Sequence, residues 1–186
     1  MMDADSFRRA LGSFPSGVTI VTTSDADGEA WGITVSAFCS VSLSPPLVLF
    51  CPAVSARSHE VLRRAERYAI NVLRPEHRTL ALRCAKAGAD KFARAGFRTE
   101  GGVPVLPSAL ASLVCRASAR YDAGDHSILV GEVESVRVND GPPLVYFDRE
   151  FRELSPAPLL APPGLVDRYR DRSLCEADGT DGSHAA

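Results

Sequence analysis

The pentapeptide Asp122-Ala123-Gly124-Asp125-His126 joins two segments of alternating character, and it constrains the fold more than any other stretch of the chain. Before it, Leu113, Cys115, Ala117, Ala119 and Tyr121 fall on one face of an extended chain and Val114, Arg116, Ser118, Arg120 and Asp122 on the other. After it, residues 127–138 are rich in Ile, Leu and Val and run to Asn139-Asp140-Gly141, which signals a further hairpin turn. A glycine, a carboxylate and an imidazole between two strands predict a tight turn from which a rigid β scaffold aims polar groups at a small ligand. The plainer reading makes Asp125 and His126 turn formers with a solvated imidazole. Either way, His126 is placed near a loop tip and outside the core.

The rest of the chain has the same texture. Residues 6–14 read as a short amphipathic helix capped by Ser6 and ended by Pro15-Ser16-Gly17. Residues 18–23 are β-branched throughout and predict a hairpin with 30–35 across a turn at 25–28. Residues 41–44 read as extended, Pro45-Pro46 exclude a helix, and 47–51 form an apolar strand that Pro52 stops. A helix is predicted over 55–67 with Val61, Leu62 and Ala65 inward, then a strand over 68–73. A second helix is predicted from Pro75 to near Gly88, carrying Leu80 and Leu82. Residues 86–102 read as loop or short helix, and a last strand covers 144–147. Roughly seven short strands with few helices predict a mainly β fold, an antiparallel barrel with peripheral helices. No G-x-G-x-x-G follows a strand and no P-loop string is present, so a nicotinamide or flavin would bind without the dinucleotide fold.

With 186 residues the chain is long enough for one well-buried domain. Residues 155–164 are crowded with proline, and 178–186 are small and polar, so 1–154 is predicted as the domain and 155–186 as a partly disordered tail. The net charge of -2 leaves no basic footprint for nucleic acid. No apolar run approaches the ~20 residues of a membrane span, and the acidic start lacks the pattern of a signal peptide. A cytoplasmic location is therefore expected. The five cysteines include no CxxC pair and predict reduced thiols. His59-Glu60 opens an HExx string, but Arg63 stands where a second histidine would complete a zinc motif, so no metal is expected.

Three more segments set polar groups among apolar strands. Thr34, Ser36, Ser40 and Ser42 supply hydroxyls suited to the edge of a flat heteroaromatic ring. Ser55-Ala56-Arg57-Ser58-His59, at a predicted helix start, suits a phosphate. Asp90-Lys91-Phe92 offers an ammonium beside an aromatic ring.

Taken in order and at these spacings, the segments resemble the short-chain flavin reductases, the NAD(P)H-dependent reductase components of two-component flavin monooxygenases. The resemblance runs from Phe7 to about Leu154, through Phe14-Pro15-Ser16-Gly17-Val18-Thr19, Thr34-Val35-Ser36-Ala37-Phe38, Ser40-Val41-Ser42-Leu43-Ser44-Pro45-Pro46, Asp90-Lys91-Phe92, Gly124-Asp125-His126 and Pro143-Leu144-Val145-Tyr146. It implies a split β-barrel homodimer that binds FMN or FAD and passes reduced flavin to a partner monooxygenase. By the same resemblance, Thr34, Ser36, Ala37, Ser40, Val41 and Ser42 contact the isoalloxazine and ribityl chain, with Cys51 and Pro52 on the same wall. Ser55, Arg57 and Ser58 hold the phosphate with Lys91 and Phe92, while Gly124, Asp125, His126 and Tyr146 meet the cofactors and His126 faces the nicotinamide. Where the family often carries a glycine, this chain has Asp148-Arg149, and NADH versus NADPH stays open. A flavoprotein that retains its flavin and reduces another acceptor, and a non-enzymatic flavin-binding module, are the alternatives.

Overall fold

A computed structural model describes residues 2–86, 91–92 and 95–154, and strands dominate them. In chain order the elements are α1 (Ala4–Gly12), β1 (Ser16–Gly17), β2 (Thr19–Ser24), β3 (Ala30–Val35), β4 (Phe38–Leu43), β5 (Pro46–Phe50), α2 (His59–Arg64) and β6 (Arg67–Val72). A 3-10 turn (Pro75–His77) leads into α3 (Arg78–Ala85), followed by β7 (Arg98–Glu100), β8 (Val103–Val105), β9 (Ala111–Ala123), β10 (His126–Val138), β11 (Leu144–Phe147) and β12 (Glu150–Glu153). Met1–Leu154 cluster as one unit. The predicted tail lies outside the described residues.

Seven strands form one antiparallel sheet in the order β3-β2-β6-β9-β10-β5-β4. The edge strands β3 and β4 are neighbours in sequence, separated only by Ser36 and Ala37, yet are not hydrogen-bonded to each other. Laid flat, seven strands would set their edges about 29 Å apart. The link from Val35 to Phe38 reaches at most about 11 Å. The sheet must therefore roll up and stop short of closing, which is a split barrel with its opening at Ser36-Ala37.

Inside the roll, Val21, Phe50, Tyr68, Ile70, Cys115 and Leu129 pack together. Phe50 and Tyr68 meet edge to face at 4.9 Å. A second cluster, including Val18, Ile20, Leu73, Leu80, Leu106 and Leu144, joins the sheet to α3 and β11. Asn71 is fully buried, and both ends of its amide are paired. Its Nδ2 donates to the Ile20 carbonyl at 3.1 Å, and its Oδ1 accepts from the Leu106 N–H at 2.8 Å and the Ser112 hydroxyl at 3.1 Å. That amide fastens β2, β6 and β9 to the loop before β9 at no desolvation loss.

The structure corrects several local expectations. The cap of α1 is Asp3, whose carboxylate accepts from the Ser6 N–H at 2.9 Å, so the helix starts two residues before Ser6. The helix expected over 55–67 shrinks to the six residues of α2. Its front end is lost because Val54 N–H donates to the Asp125 carbonyl, and its back end because Arg67 pairs with Arg116 in the sheet. Leu82 is 47% exposed rather than packed. The loop expected up to 102 holds the β7–β8 hairpin around Gly101-Gly102, where both glycines have positive φ. Asn139-Asp140-Gly141 makes no hairpin, because β11 leaves the barrel for a three-stranded sheet of order β1-β11-β12. No helix among the described residues is long and apolar enough to cross a membrane.

Candidate functional site

At the open corner of the barrel Ser36 and Ala37 are exposed. The Cys51 N–H donates to the Ala37 carbonyl at 3.0 Å, which holds the corner against the end of β5. A cleft of about 760 Å³ runs along it, lined by Ser36, Ala37, Cys51 and Tyr146 together with Phe14 and Arg149. A second cleft of about 580 Å³ shares Ser36, Tyr146 and Arg149 and adds Thr34 and Arg78. Both fall in the size range of small-molecule pockets. Burial pushes the Cys51 thiol up from its usual pKa, so it lines the wall as a neutral group.

Of the expected ring-binding residues, Thr34, Ser36, Ala37 and Cys51 come together in these clefts. Thr34 spends its hydroxyl proton on the Ala81 carbonyl at 2.7 Å, which pins α3 to β3. Ser40, Val41 and Ser42 lie further along β4, which is an edge strand paired on one side only, with a bulge at Val41. One row of its backbone N–H and C=O groups therefore faces away from the ladder, as an edge able to pair with a ligand. Ser42 Oγ accepts from the Ser44 N–H at 3.2 Å and shapes the turn into β5. Pro52 is buried, and its carbonyl accepts from the Ser127 N–H at 3.1 Å.

A cationic corner forms around β3. The Arg57 guanidinium lies 5.8 Å from the centroid of the Trp31 ring, and Trp31 is itself held by donation to Asp25 at 2.7 Å. Lys91 Nζ donates to the Gly32 carbonyl at 2.8 Å and the Cys84 carbonyl at 3.1 Å. Phe92 lies over Gly32, where a Cβ would stand 3.0 Å from its ring. Burial lowers the Lys91 pKa, and the nearby Arg57 charge adds to that. No ion pair to either group is found among the described residues, so the corner presents two cations and suits an anion. Ser55 is exposed beside them, whereas Ser58 is 2% exposed and makes no capping hydrogen bond. The phosphate set expected from the sequence therefore loses Ser58 from its surface, and the short α2 adds no helix-end contribution. Asp90 lies outside the described residues.

Gly124, Asp125 and His126 line neither of these clefts; Gly124 adopts φ +67 and turns β9 into β10. His126 Nδ1 lies 2.7 Å from Asp125 Oδ1, and this hydrogen bond holds the Asp125 carboxyl below its usual pKa. The bond orients the ring, leaving Nε2 to a ligand. The turn is seated on 52–54 through Val54 N–H to the Asp125 carbonyl at 2.9 Å and an isolated bridge between Ala53 and His126.

Residues not singled out by sequence also line the clefts, namely Phe14, Phe38, Cys39 and Leu49. Phe14 stands in the quoted Phe-Pro-Ser-Gly segment, but nothing local signals its place in a cleft. Asp148 and Arg149 both take positive φ, +49 and +63, so the β11–β12 turn keeps a left-handed geometry without glycine. Asp148 N–H donates to the Gly12 carbonyl at 3.0 Å, which ties that turn to α1. No cluster among the described residues could hold a metal ion, and Cys39, Cys51, Cys84 and Cys115 are free.

An exposed hydrogen-bonding strand edge, clefts of ligand size and a two-cation corner together fit a flavin carrying a phosphate. Comparison with known proteins bears on the same region. The chain is 46% identical over 157 residues to an Actinorhodin polyketide dimerase of Streptomyces coelicolor, covering 83% of this chain and 89% of that one. It is 43% identical to an FMN reductase (NADH) of Agrobacterium fabrum, covering 81% and 86%. A solved structure of an NADH:FAD oxidoreductase of Streptomyces globisporus, in complex with NAD and FAD fragments, superposes with a TM-score of 0.78 at 34% identity, covering 83% and 94%. Residues 11–155 match the flavin reductase like domain, from the end of α1 to just past β12, so the corner, the cationic pair and the His126 turn all lie within the matched span and the chain belongs to that family.

Proposed function

We propose that this chain is an NADH:flavin oxidoreductase that reduces FMN or FAD and passes the reduced flavin to a partner monooxygenase. The observation that carries this reading is the corner at Ser36-Ala37, an open barrel edge facing a cleft of about 760 Å³ inside the span shared with flavin reductases. Relatives bear names of the same kind, among them an NADH-dependent flavin reductase of a Rhodococcus and a 4-nitrophenol monooxygenase reductase component of Rhodococcus opacus. The flavin, when bound, supplies the redox chemistry by accepting hydride from the nicotinamide. The protein binds and orients. The free edge of β4 and the Ser36-Ala37 backbone take the ring, Arg57 and Lys91 take the phosphate, and His126, steered by Asp125, takes the nicotinamide. Tyr146 and Arg149 close the cleft from the β11–β12 side. Hydride transfer needs no proton from these residues, so their work is alignment.

The test is steady-state NADH oxidation by purified protein stripped of flavin. The rate should rise saturably with added FMN or FAD and vanish without it. Activity unchanged after flavin removal would favour a flavoprotein that retains its cofactor, and no oxidation with any flavin would favour a binding module. The likeness to a polyketide dimerase supports a second reading, a role in coupling two aromatic polyketide units. NADH oxidation that required such a polyketide as well as flavin would favour it.

The working unit in this proposal is a homodimer of residues 1–154, acting in the cytoplasm. Helix α1 buries none of its residues, Phe14 at the cleft is 77% exposed, and Leu43 on β4 is 95% exposed. Apolar side chains this exposed support a covering second copy. A chain ended after Leu154 should keep twice the chain mass in light scattering and full flavin reduction. A monomeric, active product would dismiss the dimer, and loss of both properties would make the tail structural.

A further inference from the structure

His59, the first residue of α2, and Ser127, the second of β10, are 4% and 1% exposed, and His59 Nε2 lies 2.9 Å from Ser127 Oγ. On the other side of the ring, Nδ1 lies 3.3 Å from Glu60 Oε1. A serine hydroxyl and a carboxylate oxygen thus flank the two ring nitrogens. The order Ser-His-Glu has the look of a nucleophile and its base. Burial denies Ser127 any substrate, so the set is no hydrolase site.

What the pair joins is more informative. His59 directly follows Arg57-Ser58, and Ser127 directly follows Asp125-His126. The backbone bonds that seat the turn reach only as far as 52–54. Beyond them an ion pair, Arg63 to Asp122 at 3.5 Å, spans the same gap, but Asp122 is largely exposed and Arg63 partly so, and such a pair holds weakly. The His59–Ser127 bond lies in the dry interior, where opening it strands two polar groups.

We propose that His59 and Ser127 are positioning residues that hold the anion-binding segment 55–58 and the His126 turn in one register, so that recognition of the flavin phosphate and of the nicotinamide depends on the same buried hydrogen bond. This rests on the flavin reductase reading above. It places no new group in contact with either substrate.

The test is Ser127→Ala in the full chain, assayed with NADH against FMN and against riboflavin, which carries no phosphate. KM for FMN and KM for NADH should each rise about 5- to 30-fold, while KM for riboflavin and kcat hold within about twofold. The preference for FMN over riboflavin therefore collapses, which a general loosening of the fold would not produce. Ser127→Thr keeps the hydroxyl and should restore the preference. His59→Leu opens the same bond from the α2 side and gives the same pattern, which keeps the proposal open to test if one variant fails to fold. A folded variant of either kind that keeps the wild-type preference, or that raises KM for FMN and riboflavin alike, overturns the proposal alone. A wild type with no preference for FMN over riboflavin overturns the phosphate assignment beneath it, and this proposal with it.

Discussion

Replacing His126 by alanine should lower kcat/KM for NADH by about 3- to 100-fold, from the loss of one or two polar contacts worth roughly 0.5–1.5 kcal/mol each. The imidazole stands on the turn, 44% exposed at its side chain, with Asp125 at 2.7 Å fixing its orientation. KM for flavin should stay within about twofold, since the ring and phosphate groups come from β4, Arg57 and Lys91. Melting temperature should hold, because little area is buried at a loop tip. Asp125→Asn keeps a hydrogen-bonding group beside the ring and should cost less than His126→Ala. Wild-type NADH kinetics in a folded His126→Ala protein would return this residue to a plain turn former.

Gly131→Ala should destabilise the protein by about 3 kcal/mol, at the top of the usual range for overpacking. A Cβ at Gly131 would collide with the Tyr68 hydroxyl and stand 2.8 Å from its Cζ. Tyr68 is 1% exposed and wedged edge-on against Phe50, so it has nowhere to go. Its hydroxyl is buried without a hydrogen-bond partner among the described residues, and burial drives its pKa far up. Tyr68→Phe removes that hydroxyl and should by itself raise stability by about 1 kcal/mol. In the Tyr68→Phe background Gly131→Ala should cost less, since the closest clash is gone while the ring contacts remain. Thermal or urea melts of the two single variants and the double variant measure this coupling, and strict additivity would show that the two sites do not meet. The expected drop for Gly131→Ala alone is about 6–12 °C in Tm.

Residues 111–138 carry their fold in plain view. Alternation sets the strand faces, and Gly124 supplies the positive φ of the turn, so the hairpin and the exposed station of His126 follow from residues in direct succession. The β2–β3 hairpin is legible for the same reason: Asp25 accepts from Asp27, Glu29 and Trp31 within a few residues, and Gly28 takes φ +81. The four motifs in order were also enough to point to the family, because each is a short run whose chemistry is local.

Elsewhere distant partners decided. Ser58 has the composition of a surface phosphate ligand, yet packing of α2 buries it, and no neighbour in sequence announces that. Lys91 read as an ammonium beside a phenyl ring, but two of its donors go to carbonyls of Gly32 and Cys84 on β3 and α3. The shortening of α2 came from bonds to Asp125 and Arg116, each more than 40 positions away along the chain. Sequence by itself determined the turns, the strand faces and the chemical menu of Ser36, Arg57 and His126, since periodicity and φ preference act over a few residues. Only the rolled sheet decided what shares a cleft with Ser36, because its two edges are tied together at Ser36-Ala37 while Tyr146 and Arg149 arrive from a segment over a hundred positions later.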